Sequence, residues 1–197
     1  RPEIRNLTLE NFVIESEYLG GSLAGYAPTA YIENISVINT TVKGDSSEIL
    51  GDSLGGLIGE IDGWNGGVDT ISYIDNCIVD GTVSGEYDIG GFAGLVYESV
   101  VITNCSCDVD VAYDSLYGSY PGDIGGFVGS SYGGSTYSKC YCIGDISIEG
   151  ESFWSVGGFV AYLGGSIENC YSESNIVGTG PEADFVGGFV GETYGNS

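Results

Sequence analysis

The five residues Gly125-Gly126-Phe127-Val128-Gly129 recur along the chain, and no other feature restricts its fold as much. Gly55-Gly56-Leu57-Ile58-Gly59, Gly90-Gly91-Phe92-Ala93-Gly94 and Gly187-Gly188-Phe189-Val190-Gly191 are full copies. Gly21-Ser22-Leu23-Ala24-Gly25 and Gly157-Gly158-Phe159-Val160-Ala161 are looser ones. The first glycines stand at 21, 55, 90, 125, 157 and 187, so the spacing stays between 30 and 35 residues. A period of that length belongs to stacked units that share one core, because a single unit cannot bury its own apolar side chains.

A second element comes after each glycine anchor. Ile74-Asp75-Asn76-Cys77, Ile102-Thr103-Asn104-Cys105 and Ile167-Glu168-Asn169-Cys170 read Ile-x-Asn-Cys. Tyr137-Ser138-Lys139-Cys140 loses the asparagine, and Ile32-Glu33-Asn34-Ile35 and Ile4-Arg5-Asn6-Leu7 replace the cysteine. Interchange of Cys with Ile and Leu marks a position that wants a compact apolar side chain facing inward. A third element comes some six residues later, at Val13, Thr41, Val83, Val111, Ile146 and Ile176, after turn residues such as Asp80-Gly81 and Ile143-Gly144. Alternation throughout has period two, with no helical spacing. Thirty-five glycines against four prolines fit many tight turns in an all-β chain. Three short strands per unit, stacked at ~4.8 Å, predict one β-solenoid domain over residues 1–197, of about six turns and on the order of 30 Å tall.

The anchor itself conflicts with strict alternation, which puts Val128 and Phe127 on opposite faces. Either the glycines bend the chain so that both reach the interior, or the column Phe92, Phe127, Phe159 and Phe189 lies outside under loops or a partner. An apolar residue repeated at one position favours the interior. The longest departures from the period are Glu60–Tyr73, which holds Trp64, the stretch 44–53, and the stretch 112–123 with Tyr113, Tyr117 and Tyr120. Loops of that kind are where recognition is expected.

Taken together, Gly-Gly-Phe-Val-Gly, then Ile-x-Asn-Cys-Tyr-Ser, then a Gly-x-Val-x-Gly tail resembles the GLUG motif repeat of bacterial surface proteins. Residues from Gly157 through Ser172 form the closest copy. The resemblance implies a right-handed parallel β-helix and an extracellular setting, on the cell surface or secreted, in adhesin-like proteins. It transfers no catalytic residue. Lys139 and Ala161 depart from the pattern and put the local turn geometry in question. The chain is expected to be a piece of a longer repetitive protein, with flanking repeats or domains as neighbours.

Charge narrows the partners. The net charge of −24 comes from 28 acidic residues against Arg1, Arg5, Lys43 and Lys139. Such a surface repels nucleic acid and anionic lipid, so neither binding to nucleic acid nor membrane insertion by this segment is expected. No apolar run approaches the ~20 residues of a membrane span. The chain has no histidine, which removes the commonest general base and with it a nucleophilic triad. A polyanion-cleaving lyase fares poorly with so few basic residues. Paired-carboxylate hydrolysis would rest on Asp108, Asp110 and Asp114, which read more simply as solvated side chains alternating with Val109 and Val111.

The remaining columns read as scaffolding. Cys77, Cys105, Cys140 and Cys170 share one position, with Cys107 and Cys142 two residues on. Parallel Cβ directions one rung apart suit free buried thiols better than disulfides. Asn34, Asn76, Asn104 and Asn169, with Asn6, form a column whose amides can bond up and down the stack. Asn6, Asn34 and Asn104 also open Asn-x-Ser/Thr triplets, which inward-pointing ladder residues would not offer for glycosylation. Asp110 and Asp145 fall in one outward column, ~5 Å apart. Calcium is the cation such oxygens suit, but two carboxylates are too few for its six to eight ligands, so no cofactor is expected. The expected function is a non-catalytic segment that extends or presents recognition elements toward a glycan or protein of a host or cell surface. The alternative is a carbohydrate-binding module using Tyr and Trp, and after it a polysaccharide-degrading enzyme.

Overall fold

Each repeat lays down one rung of a parallel β-solenoid, as the periodic apolar positions require. The computed structural model describes residues 1–44, 53–65, 68–114, 122–149, 153–178 and 183–195. These residues form strands, bends and turns, and among them no helix is long and apolar enough to cross a membrane. The first face stacks Leu19–Gly20, Ser53–Gly55, Asp88–Gly90, Asp123–Gly125, Phe153–Gly157 and Ala183–Gly187 in parallel. The second stacks Ala24–Pro28, Ile58–Asp62, Ala93–Tyr97, Val128–Ser131, Val160–Leu163 and Val190–Thr193. The third is a 13-stranded sheet built from the Ile-x-Asn-Cys element and the strand segments next in the chain. Six strands on each of the first two faces bound about five full turns, one fewer than the number of anchors.

The glycine anchor is a corner. In every complete copy the chain bends at the second glycine and the aromatic or aliphatic residue after it, between the first and second faces. Phe127 and Val128 are both fully buried in the same core, so the bend resolves the conflict with alternation. The last glycine of the motif is required by close approach. A Cβ on Gly59, Gly94 or Gly129 would meet the carbonyl oxygen of Ser53, Asp88 or Asp123 on the first-face strand of its own rung, at 2.6, 2.7 and 2.9 Å. Nothing in the structure explains why the buried Ala161 methyl is admitted at the same place.

Inside the corner the rings stack. Phe92–Phe127, Phe127–Phe159 and Phe159–Phe189 have centroids 4.6, 4.8 and 5.0 Å apart and planes within 13° of parallel. The spacing is the strand-to-strand distance, which is why a same-position aromatic column forms in a parallel stack. Beside it runs Ile4, Ile32, Ile74, Ile102, Tyr137 and Ile167, in register. Tyr137 is the odd member, and its buried hydroxyl donates to Ser131 Oγ at 2.7 Å. Burial pushes that phenol well up. Ser131 stands where the rung below carries Val96, so the polar pair enters the core together.

Two features of the third face differ from the sequence expectation. In the first two turns the inward residues are Ile14 and Val42, which align with Val83, whereas Thr41 pairs with Thr82 and Val13 is 69% exposed. One extra residue per turn causes the shift, and left-handed Asn11 and Asn39 (φ 60° and 53°) lie in that stretch. The Asn column, second, is a left-handed corner on the surface. Asn6, Asn34, Asn76, Asn104 and Asn169 have φ between 51° and 57° and are exposed. Asparagine is tolerated there because its short polar side chain accepts the left-handed region better than most residues. The inward orientation, and with it the argument against glycosylation of the triplets, does not hold.

Lys139 adopts the same conformation, with φ 56°. The turn geometry is kept, at a cost for a side chain with no preference for that region. Replacing Lys139 with Gly should therefore stabilise the chain by about 1 kcal/mol, less the entropy of the added glycine. In a thermal melt that is a rise of about 2–4 °C, and an unchanged or lower midpoint would show that the lysine is unstrained.

Candidate functional site

The polar side chains that flank the glycine corner on the first and second faces converge away from the core. Ser130 Oγ lies 2.6 Å from Asp88 Oδ1 and 2.6 Å from Asp123 Oδ2. All three residues are buried, and Ser155, beside Asp123 one rung on, is buried too. Asp123 Oδ1 has no hydrogen-bond partner. Ser155 Oγ reaches Glu192 Oε2 at 3.4 Å.

Asp123 of this cluster lines a groove of about 360 Å³ that spans the last three rungs. Its walls include the rings of Tyr132, Trp154, Tyr162 and Phe185. Asp184 and Glu192 join Asp123 as its acidic members. Tyr132 and Tyr162 are 4.9 Å apart between centroids, and Tyr97 and Tyr194 extend that line on either side at 5.8 and 6.2 Å. The fold places Tyr162 and Glu192 on the groove wall, since they continue the column Tyr26, Glu60, Leu95, Ser130 on the second face.

The electrostatics are one-sided. Burial first, then the charge of Glu192, raises the Asp123 carboxyl, against the hydrogen bond of Ser130, which favours its ionised form. Burial, then Asp88 and Asp123, pushes the Tyr132 phenol up to about 12. Lower in the same column burial, then Asp62, raises Glu60. Because Asp123 holds its proton more tightly folded than unfolded, the folded state carries more protons between the ordinary value of 3.8 and the raised one. Its ionisation thus destabilises the fold, and stability should rise as pH falls from neutrality through the raised value, with no further gain from this group below 3.8. Melting midpoints of the wild type and Asp123→Asn should therefore lie closer together in acid than at neutral pH, the wild type showing the steeper gain on acidification. Identical slopes would mean that Asp123 is an ordinary carboxylate.

The residues singled out in the sequence fall elsewhere. Cys77, Cys105 and Cys140 are buried, Cys170 is only half-buried because no further third-face rung covers it, and all six cysteines are free. The amide of Cys77 donates to Cys105 Sγ at 3.4 Å and that of Cys140 to Cys170 Sγ at 3.3 Å. Cys107 and Cys142 face the glycine corner, where their thiols donate to the carbonyls of Gly126 and Gly158 at 3.3 and 2.9 Å. Burial pushes the Cys105 and Cys107 thiols well up, so both stay protonated.

The asparagine ladder is partial. Asn34 Nδ2 donates to Asn6 Oδ1 at 2.9 Å and Asn76 Nδ2 to Asn34 Oδ1 at 2.6 Å. Asn104 turns instead to Asp75 Oδ1 at 2.7 Å, and Asn169 to Glu168. A second short ladder, Asn39 Nδ2 to Asn11 Oδ1 at 2.7 Å, escaped the sequence reading. Asp110 and Asp145 are exposed neighbours in one column. Asp110 Oδ1 accepts the amide of Asp145 at 2.9 Å, and Asp145 Oδ1 accepts Asn175 Nδ2 at 2.8 Å. Among the described residues no group of three or more His, Cys, Asp or Glu side chains is placed to hold a metal ion. Asp108 is exposed and far from the groove in the fold, on the third face.

Of the loops, the strand Trp64–Asn65 pairs antiparallel with Val68–Asp69, and Trp64 is exposed. Tyr113 is buried, with its ring 6.3 Å from Phe153. Tyr117, Tyr120 and residues 45–52 lie outside the described residues. The groove was missed because its members belong to different motifs, although Asp-Ile-Gly-Gly at 88–91 and 123–126 shows in plain view the two carboxyls that Ser130 joins beside it.

No curated protein and no solved structure matches the chain. The stretch from Trp154 on the groove wall, through the glycine corner and the left-handed Asn169, to the last third-face strand carries every part of the repeat, and residues 154–177 match the family model of the GLUG motif.

Proposed function

We propose that this β-helix repeat segment is a non-catalytic scaffold that extends an adhesin-like protein at a bacterial surface and presents its outward side chains there. The observation that carries the reading is the likeness of the rungs: three parallel sheets and the stacked column Phe92, Phe127 and Phe159 repeat the same packing from turn to turn, and a stack of like rungs lengthens by adding more of them without a change of design. The acidic surface supports an extended, soluble presentation. Two copies of the chain joined head to tail in register should melt several degrees above one copy. An unchanged midpoint would overturn the extension, and release of reducing sugar from plant or mucin glycans would overturn the absence of catalysis.

A carbohydrate-binding reading has its own support in the aromatic groove over the last three rungs, where ring faces stand beside hydrogen-bonding carboxylates. A glycan array probed with the chain tests it, with signal expected to vanish in Trp154→Ala.

A further inference from the structure

The chain has four basic residues, and all stand on the third face. Arg1 and Arg5 lie over the rings of Tyr31 and Tyr73, Lys43 is in the strand Tyr31–Gly44, and Lys139 is at the left-handed corner. The first and second faces, with the groove between them, therefore have no cation of their own to set against Asp88, Asp123, Asp184 and Glu192.

Proton counting at Ser130 points the same way. Ser130 has one hydroxyl hydrogen, yet its oxygen is 2.6 Å from a carboxylate oxygen on each side. It can donate to one only, so the other contact closes when that carboxyl carries a proton and donates back. The two carboxyls thus share one proton, since no cation stands beside them to keep both ionised. Asp123 adds an oxygen that is buried and unpartnered, in a residue 3% exposed that lines the groove. Above it, Trp154 and Phe185 remain 42% and 47% exposed.

We propose that this groove binds a ligand through a protonated amine, held against the ring faces of Trp154, Tyr162 and Phe185 with an N–H donor turned to Asp123 and its charge attracted by Asp184 and Glu192. An ammonium is attracted both by the ring quadrupoles and by the carboxylates, and the two attractions strengthen in a partly desolvated groove. A bare metal ion is a poorer fit, since among the described residues no three carboxylates converge on one point. A neutral sugar satisfies the rings and leaves the charge unmatched, and an anion is repelled. The raised proton affinities of Asp123 and Tyr132 agree with a groove that lacks a counter-charge. The inference is independent of the scaffold reading, because a stalk has the same rungs with or without a ligand.

Calorimetric titration of the whole chain with two matched pairs tests it. One pair is a glucosamine tetrasaccharide and its fully N-acetylated form, the other a tetralysine peptide and its acetylated form. The free-amine member of at least one pair should bind at least ten-fold more tightly than its acetylated partner, with affinity falling as salt is raised. Preference within the saccharide pair alone assigns a glycan-borne amine, and preference in both assigns the ammonium regardless of what carries it. Glu192→Gln and Asp123→Asn, each checked for an unchanged circular dichroism spectrum, should weaken the amine by about ten-fold (about 1.4 kcal/mol) and leave the acetylated form unaffected. Equal binding within both pairs, no binding of any probe at millimolar concentration, or unchanged affinity in the folded Glu192 variant would each overturn the proposal.

Discussion

Gly125→Ala should abolish the native fold, or cost at least about 4 kcal/mol where any folded protein survives. The added methyl is aimed at the carbonyl oxygen of Val128, in the same corner, at a separation no real Cβ occupies, and the amide nitrogen of Ala161 is 3.1 Å away. Neither obstacle is a side chain that can swing aside. Moving the Val128 carbonyl would open a corner tied to the next rung by the bonds from the Phe127 and Val128 amides to the Phe159 carbonyl, at 2.8 and 3.0 Å. Gly178→Ala is the control. A Cβ there meets nothing closer than Ile148 Cβ at 3.5 Å, so urea unfolding should shift by less than about 0.5 kcal/mol. Comparable effects of the two substitutions would refute the steric account of the motif.

Phe127→Ala comes next in size. The ring is fully buried and stacks on both sides, against Phe92 and Phe159. Deletion removes its apolar burial and leaves a cavity walled by backbone ladders that cannot close independently, for a loss of about 3–5 kcal/mol. Two stacking contacts add to that, each about 0.5–1.5 kcal/mol beyond area alone. Phe189 stacks on one side only and is partly buried, so Phe189→Ala should cost well under half as much. Denaturant midpoints for the two variants decide the matter, and equal losses would mean that the column is not the source of the stability.

The two substitutions probe the part of the fold that the sequence carries most openly. Five residues repeated at one spacing require stacking, and the burial of Phe127 with Val128 is explained once glycine is allowed to turn the chain. What alternation alone could not place was the register of the first two turns. There Asn11 and Asn39 are accommodated by left-handed backbone, and a left-handed residue leaves no periodic mark. The asparagine column shows the same limit. Its recurrence was legible, but a side chain that recurs for its φ angle looks no different from one that recurs for its hydrogen bonds. The groove was less legible still. Asp88 and Asp123 meet through Ser130, a residue from the next face, and Trp154, Tyr162 and Glu192 become neighbours only because three rungs superimpose.

The direction of the backbone hydrogen bonds has a mechanical meaning. In this stack they run from rung to rung, along the long axis, on all three faces. A pull between the two ends therefore loads every ladder together and head-on, with the phenylalanine stack stretched in the same direction. Resistance is set by the weakest junction between rungs, since the junctions act in series. Under tension a stack of this kind therefore parts between two rungs, at one junction, while the rungs on either side keep their geometry.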